Sequence, residues 1–114
     1  MNCPKCEQQI LVSRQVRGIQ VDQFQVDQCQ QCGGVWCDPT ELAKLLALGT
    51  AEAGQVASGR PDARVSARAG KCPRDGRKMI RVASAKKRDV ILETCPECRG
   101  VWLDGGELKL LLQA

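Results

Sequence analysis

At 114 residues the chain is long enough for one ordinary domain, but 11 Gly, 5 Pro and only three aromatic residues leave little material for one large core. Two small units, each held by a metal ion, fit this composition better. Histidine is absent, which excludes His-based acid–base catalysis, the common Ser and Cys nucleophile arrangements and the His-containing zinc sites. Any metal ligands must therefore be Cys, Asp or Glu.

The positive charge is concentrated in the middle of the chain. The formal net charge is +4, yet residues 60–89 hold eleven Lys and Arg against three Asp, a net of +8. Counting seven thiolates against two bound zinc ions lowers the total by three, to about +1. The overall charge therefore predicts no particular partner.

Eight cysteines would suit a secreted disulfide scaffold, but no positively charged start followed by an apolar run indicates export. We therefore expect metal binding in the reducing cytoplasm. No apolar run approaches the roughly 18 residues of a membrane span, so no membrane partner is expected.

The first predicted elements form a β-hairpin between two pairs of cysteines. Residues 10–17 and 19–27 are rich in Val and Ile and are separated by Gly18, which is typical of two strands and a turn. The spacing is CxxC, 22 residues, CxxC, a strong pattern for a structural zinc site with four thiolates. The predicted ligands are Cys3, Cys6, Cys29 and Cys32. Two unconnected redox or buried thiol pairs are the alternative.

A short helix is predicted after this hairpin. Gly33 and Gly34 permit positive φ and a close approach to the metal loop. Asp38 then stands as an N-cap three residues before Glu41, with a proline at the first helical position. This capping arrangement explains both carboxylates without making them a catalytic pair, and no catalytic residue is predicted. The helix carries an apolar stripe of Leu42, Leu45 and Leu46, with Leu48 outside it.

Residues 49–70 are predicted to be a flexible linker. Their composition turns to Ala, Gly, Ser and Arg, with no sustained apolar period and little to bury. Such a segment would leave the two halves free to move or to swap between chains.

The second half repeats the first with one ligand changed. Asp75 aligns with the second cysteine of the first pair, and 19 residues separate it from the next pair. A carboxylate oxygen can bind zinc, although as a harder ligand than thiolate, so this site should be the weaker one. Alternatively, Asp75 is a turn residue that leaves three thiolates and an open position. The predicted ligands of this second zinc ion are Cys72, Asp75, Cys95 and Cys98.

The rest of the second half follows the same order of elements. Residues 78–83 and 90–94 predict a shorter hairpin, whose turn carries Lys86, Lys87 and Arg88. The helix signals and the apolar stripe recur at Trp102, Asp104, Glu107, Leu108, Leu111 and Leu112.

Cys37 is the cysteine outside the pattern, because Leu103 stands at the matching position. We expect a small buried side chain in the core. The alternatives are a replacement fourth ligand for the second zinc site and a redox-sensitive thiol.

The repeated pattern of CPxC, a hairpin and CxxC-G-G-V-W-x-D-x-x-E-L closely resembles the transcription factor zinc-finger family, the small zinc ribbons related to that of transcription factor IIB. The resemblance implies a small metal-bound α+β fold of two tandem zinc ribbons, each a β-hairpin with two zinc knuckles followed by a short amphipathic helix. It places the units at residues 1–48 and 71–114. The chain departs from the plain pattern at Asp75 and Cys37.

The leading functional hypothesis is a non-enzymatic zinc-binding module that docks on a protein or nucleoprotein partner, in keeping with a role in transcription. The Leu-rich helices motivate it, because they could pack on a partner or form a homo-oligomer instead of packing within the chain. A second hypothesis is nucleic-acid binding through Lys86, Lys87 and Arg88. A third is a thiol redox protein that uses the CxxC pairs.

Overall fold

A computed structural model describes residues 1–19 and 21–113, so Gln20 in the predicted second strand and Ala114 at the end of the second unit lie outside it. Each copy of the repeat has three strands followed by a helix, and two helical turns lie between the copies. The elements are β1 (Val12–Val16), β2 (Phe24–Gln28), β3 (Val35–Cys37), α1 (Pro39–Leu46), α2 (Thr50–Ala53), α3 (Ala63–Ser66), β4 (Ile80–Ala83), β5 (Ile91–Thr94), β6 (Val101–Leu103) and α4 (Glu107–Leu112). None of these helices combines the length and the apolar character needed to cross a membrane.

The two copies share one antiparallel sheet of six strands. Its order is β1-β2-β3-β6-β5-β4, so the second copy repeats the first in reverse about the centre. The central pair is β3 with β6, in which Trp36 lies opposite Trp102. The copies are therefore related by an approximate two-fold axis and meet edge to edge. The sequence-based division into two units joined by a linker does not include this shared sheet.

The segment between the copies is part of this fold. In addition to α2 and α3, it contributes the buried side chains of Ala53 and Val56 to the core. The Gln28 amide donates a hydrogen bond of 2.7 Å to the Val56 carbonyl, and the Gln55 amide donates one of 2.7 Å to the Arg17 carbonyl. The first part of residues 49–70, predicted as a flexible linker, thus folds back over the first hairpin. The last part contacts the second half, where Gly70 N–H donates to Glu93 at 2.7 Å and Arg81 Nε donates to the Ser66 carbonyl at 3.2 Å.

One face of the sheet packs against the helices. The Leu stripes of α1 and α4 meet there, with Leu45 and Leu111 fully buried. Leu48, expected outside the stripe, is buried as well, because α1 ends at Leu46 and the chain then turns back onto the core. The other buried members of this cluster are Val16, Phe24, Val26, Val35, Cys37, Ala53, Val56, Val90, Leu92, Val101, Leu103 and Leu108.

The two tryptophans lie on the opposite face of the sheet. There, each tryptophan packs against the other half. A Cβ atom on Gly34 would overlap the ring of Trp102, and one on Gly100 would overlap the ring of Trp36. Each indole therefore lies directly on a glycine of the other half. The approach of Gly34 to the metal loop, expected from the sequence, is present in its N–H contact with the Cys32 sulfur at 3.4 Å, and the contact with the indole adds to it.

Replacing Gly34 with Ala should destabilise the zinc-loaded protein by about 1–3 kcal/mol, because the added methyl group overpacks a dense interface. The midpoint of urea unfolding measures the effect. The control is Gly54→Ala, at the C-terminal end of α2, where φ is −57° and the position is open to a methyl group apart from the Ala51 carbonyl oxygen at 3.2 Å. It should change stability by no more than about 0.5 kcal/mol. Equal effects of the two substitutions would contradict the packing argument.

A buried ion network also links the halves. The Lys5 ammonium of the first half lies 2.6 Å from a carboxylate oxygen of Glu93 and 3.2 Å from Asp104, both in the second half. It also donates to the Val65 carbonyl at 2.6 Å. Its side chain is only 2% exposed, so the two carboxylates compensate a charge that would otherwise be costly to bury. Nothing in the sequence pattern around Lys5 indicates this role.

The two helices begin differently. Asp38 forms the predicted capping box with Glu41 at the start of α1. In the second half Asp104 instead accepts hydrogen bonds from Trp102 Nε1, at 2.8 Å, and from Lys5. Its own N–H donates to Glu107 at 2.6 Å, and α4 starts from a glycine in the left-handed region. The pKa of Glu107 is raised to about 7, mainly by burial and secondly by the neighbouring charge of Asp104.

The Glu107 carboxyl should make stability fall with rising pH. Its pKa is near 4.5 before folding and about 7 afterwards, so the folded state favours the protonated acid and is penalised as the group ionises. In Glu107→Gln the amide oxygen can still accept from Asp104. We expect this variant to gain on the order of 1–3 kcal/mol relative to the unsubstituted protein between pH 5 and pH 8.

The measurement is urea unfolding of both zinc-loaded proteins across that pH range. Glu41→Gln at the matching position of α1 should show a smaller change, because Glu41 is partly exposed and lies near Lys44. A pH-independent difference between Glu107→Gln and the unsubstituted protein would contradict the assignment.

Candidate metal centres

The first hairpin brings its four cysteine sulfurs to one point. All four Sγ atoms lie within 4.8 Å of one another. Cys3 and Cys32 are 3.8 Å apart at sulfur, as are Cys6 and Cys29. A tetrahedral zinc ion with Zn–S bonds of about 2.3 Å needs sulfurs about 3.8 Å apart. This cluster therefore fits zinc.

Local backbone geometry prepares these sulfurs for a metal. The N–H of Cys6 points at the Cys3 sulfur at 3.3 Å, and the N–H of Gly34 points at the Cys32 sulfur at 3.4 Å. Gly33 has the positive φ, +80°, that the sequence predicts for the second turn. Hydrogen bonding from Cys32 and from backbone N–H groups lowers the pKa of Cys3 to about 5. Such contacts favour the thiolate, which is the form that binds metal. Burial raises the pKa of Cys6 to about 11, and the hydrogen bond to Cys3 raises the pKa of Cys32, so one thiolate is favoured before metal binds.

The second hairpin assembles three cysteines and one carboxylate. Ligand atoms of Cys72, Asp75, Cys95 and Cys98 also lie within 4.8 Å of one another. The Cys72 and Cys98 sulfurs are 3.6 Å apart, and Cys95 Sγ lies 3.3 Å from Asp75 Oδ2. The backbone N–H groups of Arg74 and Asp75 point at the Cys72 sulfur at 3.4 and 3.5 Å. This set also fits a tetrahedral zinc ion.

The position of Asp75 is compatible with both of its predicted roles, as a turn residue and as a zinc ligand. One oxygen, Oδ1, accepts a hydrogen bond of 2.9 Å from the N–H of Arg77 and shapes the turn. The other oxygen faces Cys95 in the cluster. The hydrogen bond from Arg77 lowers the pKa of the Asp75 carboxyl, so it is ionised and able to act as a ligand at neutral pH. Unlike the cysteines around it, Asp75 is exposed.

Cys37 lies away from both clusters. Its side chain is buried with the apolar residues on the helix-facing side of the sheet, whereas the metal ligands lie on the tryptophan side. Burial and the nearby carboxylates of Glu41 and Asp38 raise its pKa. The expectation of a small buried side chain is confirmed. The structure brings Asp75, and not Cys37, to the second cluster.

The fold and the two ligand clusters define a tandem zinc-binding protein of the ribbon kind, able to bind two zinc ions. The model of the transcription factor zinc-finger family matches residues 2–48 and 71–114. The chain belongs to this family, with one copy of its ribbon in each half. Comparison with curated proteins and with solved structures gives no match.

The ligand sets predict unequal retention of the two zinc ions. Asp75→Ala should speed zinc release from one of the two sites by about tenfold or more, because substitutions outside the ligand set already cost that much in metal sites. Asp75→Cys should slow release from the same site, because it restores a four-thiolate set. Transfer of zinc to a chromophoric chelator measures both sites as two kinetic phases.

The control for this experiment is Asp89→Ala, which removes an exposed carboxylate outside both clusters. It should leave both phases unchanged. If Asp75→Ala releases zinc at the rate of the unsubstituted protein, Asp75 acts only in the turn.

Proposed function

We propose that the chain is a non-enzymatic zinc-binding module that docks on a protein or nucleoprotein partner in the cytoplasm, in a process connected with transcription. In each half, one zinc ion holds the two knuckles of a hairpin together and fixes the following helix. The observation that carries the proposal is the composition of the clusters. Each supplies four protein ligands, the closed arrangement of a structural zinc site, whereas catalytic zinc keeps an open position.

The arrangement of the thiols supports a metal role over a redox role. Cys3 approaches Cys32, and Cys6 approaches Cys29, so each contact runs between the two CxxC pairs and not within one. A thioredoxin-like pair stands at the start of a helix in a βαβ unit, whereas these pairs flank antiparallel hairpins. None of the eight cysteines is joined in a disulfide.

Nucleic-acid binding has a narrower basis. Lys86 and Arg88 are exposed at the turn of the second hairpin, while Lys87 pairs with Asp89 at 3.1 Å. Proteins that bind single strands usually add aromatic side chains on which bases stack. The three aromatic residues of this chain, Phe24, Trp36 and Trp102, are all buried. Charge alone would then supply the binding, and such binding is non-specific.

The Leu-rich helices pack within the chain. The shared core buries Leu45, Leu48, Leu108 and Leu111. Packing within the chain was the alternative to the use of these helices in docking. Formation of a homo-oligomer through these helices stays a prediction. Docking on another molecule would use other parts of the surface.

The test is an affinity pull-down of the zinc-loaded chain from its own cell extract, with and without nuclease. The proposal expects partners that are retained after nuclease. It also expects the control Arg60→Glu/Arg64→Glu/Arg68→Glu, which reverses charge away from the second hairpin, to retain them as well as the unsubstituted chain does. Recovery that collapses with nuclease and with Lys86→Glu/Lys87→Glu/Arg88→Glu alone would instead identify nucleic acid as the ligand.

A further inference from the structure

The strand β4 has the features of an unoccupied binding edge. It lies at one end of the sheet, and all four of its residues are exposed. Ile80 and Val82 are 51% and 43% exposed. Val82 pairs with the core residue Leu92 across β5. Both apolar side chains therefore extend the helix-facing side of the sheet beyond its covered part.

The outer backbone of this strand is open at Arg81 and Ala83. Ser84 donates to Val90 at 2.9 Å, which in an antiparallel ladder directs the N–H and C=O groups of Val82 and Ile80 toward β5 and those of Arg81 and Ala83 away from it. Before Arg81 this edge is closed, because Met79 donates to the Gly70 carbonyl at 2.9 Å. The open part thus runs from Arg81 to the hairpin turn.

The matching strand of the first half contacts the segment between the copies through one of its side chains. The hydrogen bond from Leu11 to the Met1 carbonyl corresponds to that from Met79 to Gly70, which aligns Arg14 with Val82 and Gln15 with Ala83. Arg14 donates to the carbonyl of Gln55 at 3.1 Å, in the segment that folds back over the first hairpin. At the position of Arg14 the second half has Val82, whose side chain is exposed. An exposed valine thus replaces a tethered arginine.

The charge around this edge determines what it would accept. Cationic side chains precede β4 at Arg77 and Lys78 and follow it at Lys86 and Arg88, all exposed. Within the strand, Arg81 is exposed as well, and its Nε donates to the Ser66 carbonyl at 3.2 Å. A second copy pairing through β4 would bring these cations together, so charge repulsion opposes self-pairing. Nucleic acid would satisfy the charge but not the alternate apolar positions or the open N–H and C=O groups. An acidic peptide with alternating apolar residues matches the positive charge, the apolar positions and the open N–H and C=O groups.

We propose that β4 accepts an extended acidic segment of a partner protein, which adds to the sheet as a seventh strand along Arg81 and Ala83 and packs apolar side chains on Ile80 and Val82. This mode of recognition takes affinity from main-chain hydrogen bonds and specificity from alternate side chains. The inference rests on the proposed docking function and names the surface and the partner chemistry for it.

The experiment titrates the zinc-loaded chain into a fluorescein-labelled peptide in which Glu and Val alternate over about six residues. Fluorescence anisotropy should show saturable binding that weakens with salt, and a peptide of alternating Lys and Val should not bind. Ala83→Pro should weaken binding by about tenfold or more, because proline removes the outward N–H while leaving the pairing with β5 intact.

The matched control is Gln15→Pro at the corresponding outward position of β1, which should leave binding unchanged. Val82→Ser, an exposed substitution that leaves the backbone unaltered, should weaken binding several-fold and tests the inference even if Ala83→Pro fails to fold. Absence of saturable binding, equal binding of the Lys and Val peptide, or an effect of Gln15→Pro equal to that of Ala83→Pro would overturn the inference.

The extract pull-down separates this inference from the function on which it rests. If Ala83→Pro folds and retains the nuclease-resistant partners as well as the unsubstituted chain does, the inference about β4 fails while the docking function stands. If no nuclease-resistant partner is retained by the unsubstituted chain, the docking function itself fails. Binding of oligouridylate that is lost in Lys86→Glu/Arg88→Glu but unaffected by Ala83→Pro would assign this surface to nucleic acid and overturn the peptide proposal.

Discussion

The antiparallel pairing of β3 with β6 determines where every other element lies. Each strand is only three residues long, so backbone hydrogen bonds alone would hold the pair weakly. The indoles of Trp36 and Trp102 stabilise the pair further, because each lies on a glycine of the other half and buries a large apolar surface there. Once this contact forms, the two hairpins become one sheet and the two helices meet on its opposite face. A core then exists that neither half could build alone.

The repeat has diverged at the places where the halves touch. In the second half Asp104 and Glu93 bind the buried ammonium group of Lys5, and the indole N–H of Trp102 donates a hydrogen bond to Asp104. The indole N–H of Trp36 has no hydrogen-bond partner among the described residues, because Asp38 caps its helix instead. Buried polar groups without partners cost free energy. The polar link between the halves is therefore built on one side of the pseudo-symmetric interface only.

The metal clusters and the outer strands also differ between the halves. The first half has four cysteines in its metal cluster, and the Arg14 side chain of its outer strand donates to the Gln55 carbonyl of the segment between the copies. The second half has an exposed carboxylate in its metal cluster, and all four residues of its outer strand are exposed, with Arg81 donating to the Ser66 carbonyl of the same segment. The outer strand of the first half is thus the more buried of the two.

The sequence by itself determined the local parts of this protein. It placed the hairpins, the two ligand clusters with Asp75, and the capping box at Asp38, because each depends on residues close in sequence or joined by a short hairpin, where spacing dictates geometry. Only the tertiary structure decided the pairing of β3 with β6, the burial of Lys5 and the contact of Arg14 with the segment between the copies. These depend on contacts between residues far apart in the chain. Neither periodicity nor residue spacing encodes which distant surfaces will meet, since that choice follows from the shape and charge of the assembled halves.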